Sequence, residues 1–244
     1  MEPSVYHTLY QLEDTHWWCV GMRRLAWAFL DRLQLPAGAV GVLDLGCGTG
    51  GLLRELGERW PAVGADLSEM ALGYCRGRGL AGLVLASAES LPFAHDTFGL
   101  VTCMDVLYHR TISDDVAALR EVRRVLHPGG WLLLRVPAYA WLWSAHDAAE
   151  HAARRYTAGA LRQRLETAGF GVRRLTYANT LLFPVAAARR LWHRAFASPT
   201  WCDLQPTPSI LNRLFLGALK VEARWLKNRD LPFGLSVLAL AQKP

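Results

Sequence analysis

Residues 42–50 read Val-Leu-Asp-Leu-Gly-Cys-Gly-Thr-Gly, an apolar run that enters a glycine-rich turn. Gly46, Gly48 and Gly50 lack Cβ atoms, so the chain there can take positive φ and bring its backbone against a ligand that side chains would hold off. With Gly51 next, the run satisfies both Gly-x-Gly-x-Gly and the Gly-x-Gly-x-x-Gly pattern of dinucleotide sites, which needs a strand before it and a helix after it. Both are predicted, a strand from Val40 to Leu45 and a helix over 51–59. A second short strand, 62–66, ends in Asp66, where a carboxylate can accept hydrogen bonds from both hydroxyls of an adenosine ribose. The chemistry these residues suit is the grip of an adenosine-type cofactor.

Three later segments narrow the choice. Ala88-Glu89-Ser90-Leu91-Pro92-Phe93, then Phe98-Gly99-Leu100-Val101, then Glu121-Val122-Arg123-Arg124-Val125-Leu126-His127-Pro128-Gly129-Gly130 follow in a fixed order after the turn. In that order and spacing the chain resembles the class I S-adenosylmethionine-dependent methyltransferases over roughly residues 40–177 and its closing strand. It departs from their pattern at Ser87, where an Asp is usual, and at Gly99, where Phe-Asp is usual. Ser87 bears on the contact to the adenine amino group. The resemblance implies S-adenosylmethionine as cofactor and methyl transfer by in-line displacement to a small-molecule or lipid-linked acceptor. It carries the cofactor contacts onto Asp44, Gly46, Cys47, Gly48, Gly50, Asp66, Leu67, Ala88, Glu89 and Met104. Two other classes stay open: a nicotinamide-dependent oxidoreductase, disfavoured by the Pro-Gly-Gly strand and the split final strands, and a non-catalytic cofactor-binding protein.

Ahead of the turn, Glu13-Asp14-Thr15-His16-Trp17-Trp18 opens an amphipathic helix that continues through Arg23-Arg24 to Leu33. This start resembles a bacterial methyltransferase subgroup with His-Trp-Trp and paired arginines. There the helix covers the cofactor, so Arg23 or Arg24 would hold the methionine carboxylate by a two-pronged contact and Trp17 or Trp18 would close the pocket. Adjacent arginines on a helix cannot both face inward, and tryptophans at a helix start also serve as core anchors.

For the acceptor, the segment after the fourth strand, Asp105-Val106-Leu107-Tyr108-His109-Arg110, supplies His109 as general-base candidate and Tyr108 beside it. His146 and Asp147, in the aromatic stretch after the fifth strand, are candidates from the opposite loop. His146, Asp147 and His151 do not follow an established metal-ligand spacing, so no metal is expected.

These residues need a doubly wound, Rossmann-like α/β sheet to position them. Strands are predicted at 40–45, 62–66, 82–86, 98–103, 131–136, 170–177 and 234–241, with helices at 51–59, 69–77, 115–126 and 157–168 and the last of seven strands antiparallel. A single domain of 244 residues would divide into an N-terminal helical cap (1–36), a core (37–177 and 233–244) and a helical insert (178–232) before the last strand. Residues 178–229 hold eight basic residues against two acids, while the remainder balances at nineteen of each, so the insert carries the chain's formal +6. Its basic residues, Arg194 among them, interleave with Leu, Phe and Trp at near-helical spacing. That suits a lid with a solvated face, or peripheral contact with an anionic membrane or lipid-linked substrate; the chain lacks a recognised RNA module, so nucleic acid is not an expected partner. Five scattered cysteines without a Cys-x-x-Cys pair suggest reduced thiols, and with no predicted span or signal peptide the expected location is cytoplasmic, with membrane association through the insert. Oligomeric state is not encoded in any of these motifs.

Overall fold

The computed structural model describes residues 3–196 and 205–244. The chain starts with two helices, α1 (Pro3–Leu12) and α2 (Trp17–Leu30), ahead of β1 (Val42–Leu45). Alternation follows through α3 (Gly51–Gly57), β2 (Ala62–Asp66), α4 (Glu69–Gly77), β3 (Leu83–Leu85), β4 (Phe98–Met104), α5 (Asp115–Val125) and β5 (Leu126–Pro137). A 3-10 turn (Ala140–Leu142), the short α6 (Ala145–Ala149) and α7 (Ala158–Thr167) lead to β6 (Gly171–Ala178). Helices α8 (Phe183–Phe196) and α9 (Ser209–Leu226) precede the final strand β7 (Ser236–Gln242).

The seven strands form one sheet in the order β3-β2-β1-β4-β5-β7-β6. Strands β1 to β5 pair in parallel, and β7 runs antiparallel between β5 and β6. The order reverses at β1 and β4, so the crevice at their carboxyl ends is the natural ligand site of such a sheet. Every residue of β1 is buried, as a parallel strand covered on both faces must be. Helix starts are chosen locally: the Ser68, Asp114 and Thr157 side chains accept backbone N–H groups at the beginnings of α4, α5 and α7.

The strand predicted at 131–136, after a turn at Pro128-Gly129-Gly130, begins earlier. β5 starts at Leu126, directly after α5, and the register against β4 jumps from Phe98↔Leu126 to Leu100↔Trp131. Pro128 has no N–H to give the ladder and Gly129 takes φ +77°, so these residues bulge inside the strand pair instead of standing before it. β1, by contrast, starts at Val42, two residues after the predicted boundary.

Among the described residues the insert forms two helices, α8 and α9. α9 lies against α2, burying Leu219, Ala223 and Leu226 with Met22, Leu25 and Phe29. The two helices approach closely at Gly21, where a Cβ would collide with the Leu219 side chain. A buried carboxylate ties the insert to the sheet: Glu222 accepts backbone N–H groups from Asn179, from Thr180 at 2.8 Å and from Leu181 at 3.2 Å. No helix among the described residues is long and apolar enough to cross a membrane.

Candidate active site

The turn after β1 forms one wall of a deep cleft. Gly46 and Gly48 both take positive φ, +73° and +55°. A Cβ on Gly46 would run into Val106, whereas one on Gly48 would meet only Leu9 Cδ2 at 4.0 Å across the cleft. Packing therefore demands glycine at the first, and backbone conformation with ligand approach demands it at the second.

Asp66 closes β2 beside this turn. Its Oδ2 accepts the Gly48 N–H at 3.0 Å and its Oδ1 the Ser68 N–H at 2.9 Å, which fixes the carboxylate at the rim. Burial raises its pKa above the usual carboxylate value against the opposing pull of those bonds. Tyr6 of α1 stands close enough that burial first, and the Asp66 charge second, raise its hydroxyl pKa. Below the turn, Asp44 is fully buried, accepts the Thr102 hydroxyl at 2.6 Å and is pushed by burial up to about 7.

Glu13, in the link between α1 and α2, sits over the N-terminus of α3. Its Oε2 accepts the Thr49 hydroxyl at 2.5 Å and Arg78 Nη2 at 3.0 Å, and the Gly51 N–H also bonds to it. With Gly50 at the N-cap position and no side chain there to cap the helix, the carboxylate of Glu13 takes that role from outside. Burial raises its pKa, against the Thr49 bond and the Arg78 charge.

On the opposite side, Asp105 at the end of β4 adopts φ +58°, a left-handed conformation rare for a residue with a side chain. Arg135, buried on β5, holds it through Nε at 2.9 Å and a second bond from Nη2. That turn carries Val106, Tyr108 and His109 into the cleft. His109 is half-buried, and burial first and nearby positive charge second lower its pKa to about 4 although Asp105 pulls the other way. The imidazole is neutral at physiological pH. Tyr108 donates its hydroxyl to Glu150 Oε2 at 2.6 Å, and burial raises its pKa well above 10.0, so it stays protonated and cannot act as a base.

One cavity of about 660 Å³ joins these parts. Gly48, Asp66, His109, Trp17, Phe215 and Val185 all line it, so α1, α2 and both insert helices wall it together with the sheet. Trp17 stacks edge-on to Trp18 at 5.7 Å and to Phe215 at 5.2 Å, which makes that part of the wall aromatic.

Residues 42–130 match the model of a family described as a methyltransferase domain. The ubiquinone/menaquinone biosynthesis C-methyltransferase UbiE of Shewanella sp. (strain ANA-3) is 40% identical over 104 residues, 38% of this chain and 41% of that protein. Its counterpart in Serratia proteamaculans (strain 568) is 40% identical over 121 residues, 44% of this chain and 47% of that protein. Over this central segment the chain is similar to S-adenosylmethionine-dependent methyltransferases. It spans less than half the length of the curated relatives it matches. The fold agrees over nearly the whole chain. A S-adenosylmethionine-dependent methyltransferase from Thermotoga maritima, 17% identical, superimposes with a TM-score of 0.60 over 99% of this chain and 96% of that one.

S-adenosylmethionine, the cofactor of those methyltransferases, fits the cleft. Asp66 offers carboxylate oxygens at the rim, Leu67, Ala88 and Met104 give apolar contact, and the space over Gly48 admits close approach to the backbone. Gly46, Cys47, Asp44 and Trp18 line the same cavity. Arg23 lines it too, but its Nε donates to Glu55 Oε1 at 2.7 Å and its Nη1 to the Glu13 carbonyl at 2.8 Å, while Arg24 faces solvent. A two-pronged grip of Arg23 on a carboxylate would have to displace Glu55.

Three expectations are corrected. Gly50 does not line the cavity; its missing Cβ makes room for Leu80 and Cys75, so it serves the packing of the turn on α4. Glu89 also lies off the cavity, because its Oε1 accepts the N–H groups of Ser113 and Asp114 and the Ser113 hydroxyl at 2.8–3.0 Å before α5. Asp147 is buried in an ion pair, with Oδ1 2.7 Å from Arg155 Nε, and does not reach the acceptor side. The His146 side chain lies outside the described residues, as do those of Arg194 and Cys202. Sequence reasoning missed Glu13 and the Asp105–Arg135 pair. An arginine inside the apolar run Trp131 to Val136 was the available signal for the latter; Glu13 read only as part of a polar turn.

Proposed function

We propose that this chain methylates an apolar acceptor that enters the cavity from the side of the insert. The observation that carries the reading is that one cavity is lined by Asp66 and Gly48 and also by His109, Trp17 and Phe215. Bound beside Asp66 and Gly48, S-adenosylmethionine supplies a methyl group activated on a sulfonium, and its transfer leaves a neutral thioether. Asp66 would accept hydrogen bonds from the ribose hydroxyls, and Leu67 and Ala88 would offer apolar contact to the adenine. Glu13 and Asp44 offer carboxyl groups to the amino-acid end.

His109 presents a neutral imidazole to the acceptor. Because its pKa lies near 4, it orients an acceptor proton by accepting a hydrogen bond and passes any proton it takes quickly onward. Tyr108, held by Glu150, is a wall of the acceptor space. Alignment of acceptor and methyl is then the main catalytic contribution, for which well-oriented partners gain up to about 7–11 kcal/mol. The aromatic and aliphatic wall made by Trp17, Trp18, Phe215, Leu182, Val185 and Leu235 suits a ring or an aliphatic chain. Relatives named for C-methylation in ubiquinone and menaquinone biosynthesis support an acceptor of that apolar kind.

Calorimetry with S-adenosylhomocysteine and with NAD tests the cofactor, and a labelled methyl donor with fractionated lipid and aqueous extracts tests the acceptor. Binding of S-adenosylhomocysteine but not NAD, with label in the lipid fraction, is expected. Binding of NAD alone would overturn the reading.

A further inference from the structure

We propose that the outer faces of α8 and α9 dock the chain on an anionic lipid bilayer, so that the acceptor cavity opens toward the membrane. The docking does not depend on methyl transfer; only the arrival of a lipid-borne acceptor rests on the proposed function.

On α9 the buried stripe Leu219, Ala223 and Leu226 faces α2. Ile210, Leu214, Val221 and Trp225 recur at i, i+4, i+11 and i+15, which places them together on the side away from that stripe. They are left in solvent: Ile210 is 80% exposed and Leu214 64%. Arg213, Lys220 and Arg224 form a second exposed row alongside, and no carboxylate among the described residues lies within ion-pair distance of them. The Arg229 guanidinium lies 4.8 Å over the Trp225 ring, bringing cation and aromatic together at the end of the stripe. α8 repeats the composition, with Val185, Leu191 and Trp192 exposed beside Arg189.

Charge selects the occupant. α8 contains no acidic residue, and the one acid of α9, Glu222, is buried. The exposed surface is thus apolar and cationic with no anionic member, the combination that buries aliphatic groups beneath anionic headgroups. A nucleic acid would satisfy the basic row and leave the aliphatic stripe in water. Neither helix can cross a membrane, so each would lie along the surface. Val185 gives the functional link, because it is 61% exposed and also lines the cavity with Arg189 and Leu182. Val185 and Arg189 thus belong both to the cavity wall and to the proposed docking face, which would let an apolar acceptor pass from the bilayer toward His109.

Sedimentation of the full chain with phosphatidylcholine vesicles, with and without about a third phosphatidylglycerol, tests this at low and near-physiological salt. Binding to the anionic vesicles that weakens with salt is expected. Ile210→Ser with Leu214→Ser, and separately Arg213→Glu with Lys220→Glu and Arg224→Glu, should each lower the partition coefficient at least about tenfold. Both sets change exposed side chains, and unchanged S-adenosylhomocysteine binding would confirm that the variants are folded. Equal binding to neutral and anionic vesicles, no binding at low salt, persistence of binding in both variants, or displacement from vesicles by excess RNA would overturn the inference. Failure of the native chain to bind S-adenosylhomocysteine would count against the proposed function and leave the vesicle result to be judged separately.

Discussion

Asp44 is buried and His109 half-buried in the same cleft, and burial moves each toward its neutral form. Asp44 titrates near 7, so below that pH it must lose a proton before it can face the ammonium of the cofactor's amino-acid end. Affinity for S-adenosylhomocysteine should therefore fall as pH drops below about 7, by at most about tenfold per pH unit. Asp44→Asn should flatten that slope in calorimetric titrations. His109 has the reverse consequence for stability: its pKa falls from 6.5 unfolded to about 4 folded, so the unfolded chain binds more protons between those values. Stability should decline as pH is lowered through that window, and His109→Gln should shrink the decline in thermal melts. At the rim, Asp66→Ala should weaken S-adenosylhomocysteine binding by about 1–3 kcal/mol through lost ribose hydrogen bonds. Gly48→Val should abolish it, since a β-branched residue is strained at φ +55° and projects into the cleft.

Between elements, two junctions hold the cleft's cover in place. At the crossing of α2 and α9, Gly21 touches the Leu219 side chain so closely that a methyl group cannot be added without displacement. Gly21→Ala should cost about 1–3 kcal/mol in chemical denaturation, despite alanine's better helix propensity, because overpacking outweighs it. At the second junction, Glu13 caps α3 from the α1–α2 link and pairs with Arg78. Removing that carboxylate leaves buried donors without their acceptor, so Glu13→Ala should lower both the melting temperature and cofactor affinity.

The molecule as a whole closes its cavity with segments from both ends of the chain: α1 and α2 from the start, α8 and α9 from just before the last strand. α1 packs chiefly on α4, through Tyr10 stacked on Tyr74 at 4.7 Å and Arg78 over the Tyr10 ring at 4.6 Å. We expect it to be the part that opens for cofactor exchange. Hydrogen exchange should show α1 amides slowed by S-adenosylhomocysteine far more than those of the sheet, whose protection reflects global unfolding. Equal protection in both regions would mean that the cover does not move separately.

Local patterns in the sequence were sufficient for the glycine turn, the acid ending β2, the alternation of strands and helices, and the helix opened by His-Trp-Trp. Each depends on residues close in sequence: a β period of two, a helical period of 3.6, a turn that only glycine accommodates. Charge counting also separated the basic insert from a balanced core. What the sequence could not assign was which of several suitable groups faces the cleft. Gly50, Glu89 and Asp147 each carry the right chemistry, yet their contacts with Leu80, Ser113 and Arg155 turn them to packing, helix capping and ion pairing. Glu13 and Arg135 acquire their places from partners 65 and 30 residues away, Arg78 and Asp105. Contacts over such separations leave no periodic trace along the chain, so only the tertiary structure, by bringing the two ends together over the sheet, decided them.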